Sequence, residues 1–299
     1  HPDHVTFVEC ISEDLARRDF TVNSLAVGFD RFGHFGLIDL FGGQNDIHKK
    51  RIRCVGDART RFDEDALRML RAVRFAATLD FSITDETKDA MREKLPLLSY
   101  ISGERKSEEL RKLLSSDAPE RTAVESEDVL SFILGNISPN GLNGVQKDFG
   151  ARLFYLTRNQ SDEEFSRRIP PLKLSGDERT ALEKLRRIYL QTAQKGTIPT
   201  EALASVIAEY GYFAARYFGV FPSAEGEKIL SSDLPKTLAE LKIGGKELGS
   251  LGFSGKEIGA ALHTLLIGCL EGKYDNTAEN LLSAARGIRE QNAKGTEEK

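Results

Sequence analysis

The clearest pattern of hydrophobic and polar positions lies between residues 64 and 77. Apolar residues recur there three and four positions apart, as on one face of an α-helix: Ala66, Met69, Leu70, Val73 and Ala77. Asp65, Arg68 and Arg71 fall on the opposite face, with Arg74 at its edge. The pattern predicts one helix that begins near Glu64 and carries a charged stripe.

The rest of the chain divides into a short mixed part and a long helical part. Up to about residue 60, β-rich runs at 5–8, 36–38 and 51–55 alternate with glycine turns and short helical pieces. From residue 63 onward the pattern is helical, with breaks at 81–84, 95–96, 138–141 and 169–171 and turns at three later prolines, Pro199, Pro222 and Pro235. We therefore predict a mostly α fold.

Asp65 and Arg68 suggest a chemistry for the charged stripe. Residues three apart on a helix are neighbours, so this pair offers an acceptor beside a fork of donors. Cytosine and adenine present an amino donor beside a ring-nitrogen acceptor, whereas guanine and uracil present a carbonyl beside a ring N–H. The pair would therefore accept C and A and reject G and U, with roughly 1 to 3 kcal/mol for each good bidentate match.

Two further arginines extend this interpretation, but the spacing also has a simpler explanation. Guanidinium groups bind phosphate well, so Arg71 and Arg74 are candidate phosphate ligands. The alternative is an exposed helix with surface ion pairs of about 0.5 kcal/mol each. Spacing alone favours this alternative, and the sequence context has to decide.

That context is a series of motifs in a fixed order. Residues 17–23 read RRDFTVN and residues 64–76 read EDALRMLRAVRFA. The two strings resemble signature motifs of the class II tRNA nucleotidyltransferases, the CCA-adding enzymes and bacterial poly(A) polymerases. Further similar segments lie at 38–43, 53–62, 101–110, 238–245 and 251–259. The resemblance implies the C-terminal part of a mixed α/β head domain at 1–60, a helical neck at 61–115, a helical body at 116–190 and a helical, tRNA-binding tail at 191–299.

The resemblance also implies a nucleotide pocket built from the two motifs. Its members would be Arg18 at the phosphates or ribose, Asp65 and Arg68 at the incoming base, and Arg71 and Arg74 completing the pocket. The substrates implied are CTP and ATP, and the partner is the 3′ end of tRNA. This assignment agrees with the argument from donors and acceptors.

Supporting roles follow for residues beside these motifs. The resemblance implies that Asp19 and Asn23 support the ribose and Arg18, although capping of a helix end is an equally good explanation. Glu104 and Arg105 follow a helix start for which Ser102 is a plausible cap. We expect this pair to be structural and to brace one neck helix against another.

One departure from the family bears on activity. The family's chemistry depends on two aspartates, separated by one residue after a glycine-rich turn, that hold two divalent metals. The sequence contains only Asp63-Glu64-Asp65, at a helix start and without that turn. We therefore expect an N-terminally truncated sequence with no catalytic or metal-binding residue of its own, inactive alone, whose full-length parent uses Mg²⁺.

Composition fits a soluble, cytoplasmic protein without a membrane partner. The chain has 299 residues, 40% of them hydrophobic, and no run of bilayer-spanning length. Its cysteines, Cys10, Cys54 and Cys269, are too scattered for a disulfide framework or a CxxC metal site. The five histidines lack ligand spacing, so zinc is not expected. Gly255-Lys256 does not form a P-loop, because Ser250 and Glu257 stand at required glycine and Ser/Thr positions.

The formal net charge of −4 is unusual for an RNA-binding enzyme, but the basic residues are clustered. Six of them precede the arginine helix: Lys49, Lys50, Arg51, Arg53, Arg59 and Arg61. Such a cluster can create a local positive field, although charge runs are often only solvated faces.

Several functions stay open at this point. Within the family they are CCA addition, addition of only CC or only A, and polyadenylation; the EDALR motif and the tail favour CCA addition. A different class of function is a noncatalytic RNA-binding fragment, or one half of a split enzyme. The sequence does not indicate an oligomeric state.

Overall fold

The described residues are mostly helical, as predicted. The computed structural model describes residues 10–29, 32–192 and 198–297, with side chains up to residue 290. The chain divides into two units, residues 1–182 and 183–299. The strand predicted at 5–8 lies outside the described residues. The division into head, neck, body and tail stays a prediction.

The first unit contains short helices and four short strands. In chain order the helices are α1 (Ile11–Ala16), α2 (Gly43–His48), α3 (Ala58–Glu64), α4 (Leu67–Leu79), α5 (Asp85–Lys94), α6 (Gly103–Leu114), α7 (Pro119–Glu125), α8 (Glu127–Leu134), α9 (Phe149–Thr157) and α10 (Asp162–Arg168). The strands are β1 (Leu25–Phe29), β2 (Phe35–Asp39), β3 (Arg51–Ile52) and β4 (Ser82–Ile83). Helix α11 (Gly176–Gln191) begins in this unit and ends in the second.

The strands form two separate pairs. β1 and β2 make an antiparallel hairpin with Phe29 opposite Phe35, and β3 pairs in parallel with β4. The strand predicted at 36–38 is confirmed, whereas that at 51–55 is only two residues long, followed by a single bridge between Cys54 and Phe20. The purely helical pattern predicted after residue 63 is wrong at β4, which lies at a predicted break.

The predicted helix from Glu64 onward is broken in the structure. α3 ends at Glu64, α4 begins at Leu67, and Asp65 between them is extended with φ −151° and ψ 103°. The Asp65 carboxylate accepts the backbone N–H of Leu67 at 3.0 Å, a local bond that competes with helix continuation. The apolar face of α4 is buried as predicted, from Ala66 to Ala77.

Helix α6 packs beside α4, and its start is fixed by local geometry. The Ser102 hydroxyl accepts the N–H of Arg105 at 3.4 Å, as expected for the predicted cap. Gly103, the first helical residue, is buried against the carbonyl of Pro171, where a Cβ atom would overlap with that oxygen. The backbone at Pro171 therefore determines where α6 begins.

The second unit is also helical. After the end of α11 it contains α12 (Thr200–Tyr210), α13 (Ala214–Phe218), α14 (Ala224–Ser231), α15 (Gly245–Ser250), α16 (Lys256–Leu270) and α17 (Ala278–Glu297). The predicted proline turns all lie outside these helices, and Gly255, with φ +53°, precedes α16 in a turn between helices. Within the described ranges, no helix combines the length and apolar character needed to span a bilayer.

The packing of Gly103 gives a test of the fold. We expect Gly103→Ala to lower the free energy of unfolding by about 1 to 3 kcal/mol, because the new methyl group must displace backbone. Gly176→Ala is the matched control, since a Cβ there meets no atom within 4 Å. The control should be neutral or stabilise by up to about 1 kcal/mol. Urea unfolding followed by circular dichroism measures both, and equal stability of the two variants would contradict the packing argument.

Candidate functional site

The two motif regions meet at a cavity of about 680 Å³ in the first unit. The residues that line it are Arg17, Arg18, Asp19, Asn23, Asp65, Leu67, Arg68, Arg71, Phe75 and Arg105. Six of the residues singled out from the sequence for the nucleotide pocket or its support are among them. Five guanidinium groups face two carboxylates here, so the cavity is suited to an anionic ligand.

Asp19 connects the first motif to α4. Its Oδ2 accepts hydrogen bonds from Nε of Arg71 at 2.7 Å and is 2.6 Å from Nη2. Its Oδ1 accepts from the backbone N–H of Phe20 at 2.9 Å and from the Asn23 amide at 3.2 Å. The carboxylate is buried, and no side chain caps the 3₁₀ turn that follows it, Thr21–Asn23. Asp19 therefore positions Arg71 rather than capping a helix.

Arg18 is held at the mouth of the cavity. Its Nη1 donates to the carbonyl of Asn23 at 2.7 Å, and its Nη2 donates to Asp14 at 2.9 Å. Asp14 also accepts from Arg17 at 2.6 Å. Hydrogen bonds from Arg17 and then Arg18 hold the pKa of Asp14 below its ordinary value. Because 42% of its side chain is exposed, Arg18 can reach a ligand from this anchored position.

Asp65 and Arg68 line the same cavity, but each is already engaged. Arg68 donates through Nη1 to Glu64 at 2.6 Å and through Nη2 to the carbonyl of Arg17 at 2.9 Å. Asp65 accepts from Leu67 on one oxygen and from another residue on the second, which leaves acceptor capacity on both. The two side chains do not lie on one helix face as predicted, because Asp65 precedes α4.

Arg105 is the second partner of Asp65, at 2.8 Å between Nη2 and Oδ2. Sequence reasoning assigned Arg105 a structural role and missed its place in the cavity. The only signal was its presence in the motif at 101–110, since the sequence does not indicate which carboxylate it meets. Glu104, on the same turn, forms an ion pair with Lys173 at 2.9 Å, so it braces α6 against the loop before α11.

Arg74 lies outside the set that lines the cavity. Its side chain is only 15% exposed, with Nε 2.8 Å from Oε2 of the buried Glu109, although the contact lacks the geometry of a hydrogen bond. Its guanidinium lies 3.9 Å from the centroid of the Phe75 ring. Burial lowers the pKa of Arg74, and Glu109 opposes that effect. Arg74 therefore supports Phe75, which does line the cavity, from behind.

The predicted basic cluster is less positive than its sequence suggests. Four of its six members form ion pairs, namely Lys50 with Asp80, Arg53 with Asp46, Arg59 with Glu93 and Arg61 with Glu64. The cluster therefore supplies less positive field beside the motifs than a count of its basic residues suggests.

Divalent metal does not fit the described residues. Within the ranges that the structure covers, no three His, Cys, Asp or Glu side chains are placed to hold a metal ion. The two carboxylates of the cavity, Asp19 and Asp65, are each bound to an arginine. We derive no reaction step through a metal at these residues.

Comparison with known proteins shows which proteins the chain is similar to. Residues 1–53 match the family model described as "Poly A polymerase head domain", and residues 80–125 match "Probable RNA and SrmB-binding site of polymerase A". The CCA-adding enzyme of Geobacillus thermodenitrificans is 47% identical over 141 residues, which cover 47% of this chain and 34% of that protein. The CCA-adding enzyme of Lactococcus lactis subsp. cremoris is 54% identical over 113 residues, 38% of this chain and 27% of that protein.

Over these segments the chain is similar to the class II CCA-adding enzymes and poly(A) polymerases. The matched segments span only about a quarter to a third of the length of these curated relatives. Helix α4 lies between the two segments that match family models. The resemblance inferred from the motifs is confirmed.

Solved structures of the family extend the likeness over nearly the whole chain. The Bacillus stearothermophilus CCA-adding enzyme in complex with CTP superimposes with a TM-score of 0.72 and 26% identity, over 97% of this chain and 77% of that one. The Thermotoga maritima CCA-adding enzyme complexed with tRNA_CCA has the same fold, with a TM-score of 0.69 and 22% identity over 93% of this chain and 74% of that one.

The bond between Asp19 and Arg71 gives a test in which the sign of the effect is decisive. Removing a negative charge should strengthen anion binding by simple electrostatics. If Asp19 positions Arg71, however, Asp19→Asn should weaken the binding of tripolyphosphate to the 299-residue chain by about 1 kcal/mol. Isothermal titration calorimetry measures the affinity, and thermal unfolding checks that the variant is folded.

Glu93→Gln is the matched control for Asp19→Asn. It removes the same charge from an arginine-bound carboxylate that does not line the cavity, so tripolyphosphate should bind as to the unsubstituted chain. Tighter binding by Asp19→Asn would show that Asp19 only repels the ligand.

Proposed function

We propose that this chain is the nucleotide-reading and RNA-binding part of a tRNA nucleotidyltransferase that adds CCA to the 3′ end of tRNA from CTP and ATP, with release of pyrophosphate. The observation that carries the proposal is the convergence of both motifs on one arginine-lined cavity. The similar proteins support it, because they are named CCA-adding enzymes and one was solved with CTP. Those names favour CCA addition over polyadenylation.

In this proposal Asp65 and Arg68 read the base. The Asp65 carboxylate accepts the exocyclic amino group of C or A, and Arg68 donates to the adjacent ring nitrogen. A carbonyl oxygen of U or G would instead face the Asp65 carboxylate with no proton between them. Arg105 supports the assignment because its bond to Asp65 fixes the acceptor before a nucleotide arrives.

Other arginines bind the phosphates of the nucleotide. Arg71, positioned by Asp19, and Arg18, anchored on Asp14, present guanidinium groups to the same cavity. Asn23 supports both, since its amide donates to Asp19 and its carbonyl accepts from Arg18. The role proposed for Arg74 is indirect and acts through Phe75.

Transfer itself requires groups that these residues do not supply. The family resemblance implies two Mg²⁺ ions held by an Asp-x-Asp pair, which would activate the 3′ hydroxyl and neutralise the leaving pyrophosphate. In Asp63-Glu64-Asp65, the first carboxylate is bound to Lys94 at 2.8 Å and the third to Arg105. We propose that the 299 residues bind nucleotide without turnover and that carboxylates outside them complete the site. A split enzyme would meet this requirement with a second chain, and cytoplasmic tRNA would be its substrate.

Incorporation of labelled CMP and AMP into a tRNA transcript that lacks CCA tests whether the 299 residues bind nucleotide but need further carboxylates for transfer. We expect the 299-residue chain to give no product above background while it retains CTP binding. Addition of a protein or segment that carries the Gly-rich turn and Asp-x-Asp should restore product. Robust incorporation by the 299 residues alone would overturn the proposal that transfer needs carboxylates outside them.

Substitution of Asp65 tests base reading. Asp65→Asn replaces one acceptor with an amide that also donates, so the preference for CTP and ATP over UTP and GTP should fall by about 1 to 3 kcal/mol. Asparagine also keeps a side-chain acceptor for the N–H of Leu67. Equilibrium binding of all four triphosphates measures the preference.

The control for Asp65→Asn is Arg71→Gln, which should weaken all four triphosphates evenly because Arg71 is assigned to phosphate. An unchanged preference in Asp65→Asn would make the base-reading role wrong.

A further inference from the structure

A second cavity of the first unit, of about 290 Å³, is lined by three cationic side chains. Lys106 comes from α6, and Arg167 and Arg168 come from the end of α10. Phe132 of α8 and Leu172 contribute apolar walls. No acidic side chain of the described chain lines this cavity, which distinguishes it from the arginine-lined cavity above.

The cations of this second cavity have no carboxylate partner within the described part of the chain. Among the described residues, neither Lys106 nor Arg167 forms an ion pair. Burial lowers the pKa of Lys106, and no carboxylate raises it again. Arg168 donates from Nη1 to the carbonyl of Phe132 at 3.1 Å, but its Nε is buried without a hydrogen-bond partner.

Two carboxylates close in sequence to these cations have other partners. Glu164, one turn before Arg168, accepts the N–H of Asn136 at 2.9 Å. Glu104, two residues before Lys106 at the start of α6, pairs with Lys173. Lys106 and Arg168 are half-buried, whereas Arg167 is exposed. Partly buried charge without compensation costs free energy, so an anion that enters the cavity would relieve that cost at Lys106 and Arg168 and would also be attracted by Arg167.

We propose that this cavity binds a phosphate group of the backbone of bound RNA. The proposal rests on the proposed function and adds to it a contact site that the base-reading cavity does not contain. Lys106 falls within residues 80–125, the segment that matches a probable RNA-binding site, whereas Arg167 and Arg168 lie beyond it. At less than half the volume of the first cavity, the second fits one phosphate group with its sugar better than a whole nucleoside triphosphate.

The salt dependence of RNA binding tests the proposal. A tRNA transcript is titrated with the 299-residue chain at several salt concentrations, and the slope of log K against log salt counts the phosphate contacts. The double variant Lys106→Gln with Arg167→Gln should reduce the magnitude of that slope by about 2, about 1 for each charge, and weaken binding evenly across RNA sequences. Arg168 is left in place because its bond to Phe132 contributes to folding.

A control variant with the same net charge distinguishes the loss of contacts in the cavity from the general effect of removing two positive charges. Lys147→Gln with Arg92→Gln removes two exposed cations that are paired with Asp117 and Asp89, outside the cavity. Its salt slope should stay within about half a unit of the unsubstituted chain. CTP affinity should be unchanged in both double variants, so this proposal and the base-reading proposal fail independently.

Three outcomes would overturn the proposal. They are an unchanged slope in the cavity variant, an equal loss in the control variant, and no binding of tRNA by the unsubstituted chain. Inorganic phosphate tests whether the cavity binds free phosphate instead of RNA. In that case phosphate would raise the melting temperature of the unsubstituted chain but not of the cavity variant, and both would bind RNA equally. That result would make the RNA assignment wrong.

Discussion

The arrangement of the candidate site depends on one buried carboxylate. Asp19 binds Arg71 from a position 52 residues away in the chain, and so attaches the first motif to α4. A buried charge is stable only when its hydrogen-bonding capacity is satisfied, and Asp19 meets this condition with three hydrogen bonds, from Arg71, Phe20 and Asn23. The edge-to-face contact of Phe20 with Phe75, 5.8 Å between centroids, packs beside the ion pair. Removal of either charge would leave the other uncompensated.

The arginines of the first cavity are organised before any ligand binds. Arg18, Arg68, Arg71 and Arg105 each bond to a carboxylate or a backbone carbonyl, which fixes the direction of their guanidinium groups. A ligand therefore exchanges existing hydrogen bonds rather than ordering free side chains. Such exchange lowers the gain in affinity from each contact, but it lowers the entropic cost of binding as well. Discrimination between bases benefits most, because it depends on fixed donors and acceptors.

Local patterns predicted the parts of the fold that local interactions determine. The apolar face of α4 is correct because its period follows from helix geometry alone. The junction at Asp65 was not predicted, since a side-chain bond to Leu67 competes there with the helical pattern. The place of Arg105 was missed because its partner is 40 residues distant in sequence.

Charge was the least predictable property. The sequence indicates where cations cluster but not which of them meet a carboxylate, and ion pairs such as Arg59 with Glu93 join residues far apart in the chain. The residues that line the first cavity were found through the family motifs rather than through periodicity. The spacing argument placed Asp65 and Arg68 on one helix. The structure breaks that helix between them, yet both residues line the first cavity.

The two cavities use positive charge in different ways, because the cations of the first are paired with carboxylates or carbonyls and, within the ranges that the structure describes, two of the three cations of the second are not. In the first, arginines are paired, so their field is weak at a distance and their hydrogen bonds are directional; this favours selection between ligands of equal charge. In the second, Lys106 and Arg167 lack partners among the described residues and Arg168 keeps an unsatisfied donor. Uncompensated charge attracts any phosphate and depends strongly on salt, but it carries no information about sequence. The proposed function, which combines binding of many different tRNAs with a choice of two among four nucleotides, requires both arrangements, and their separation allows each to act without the other.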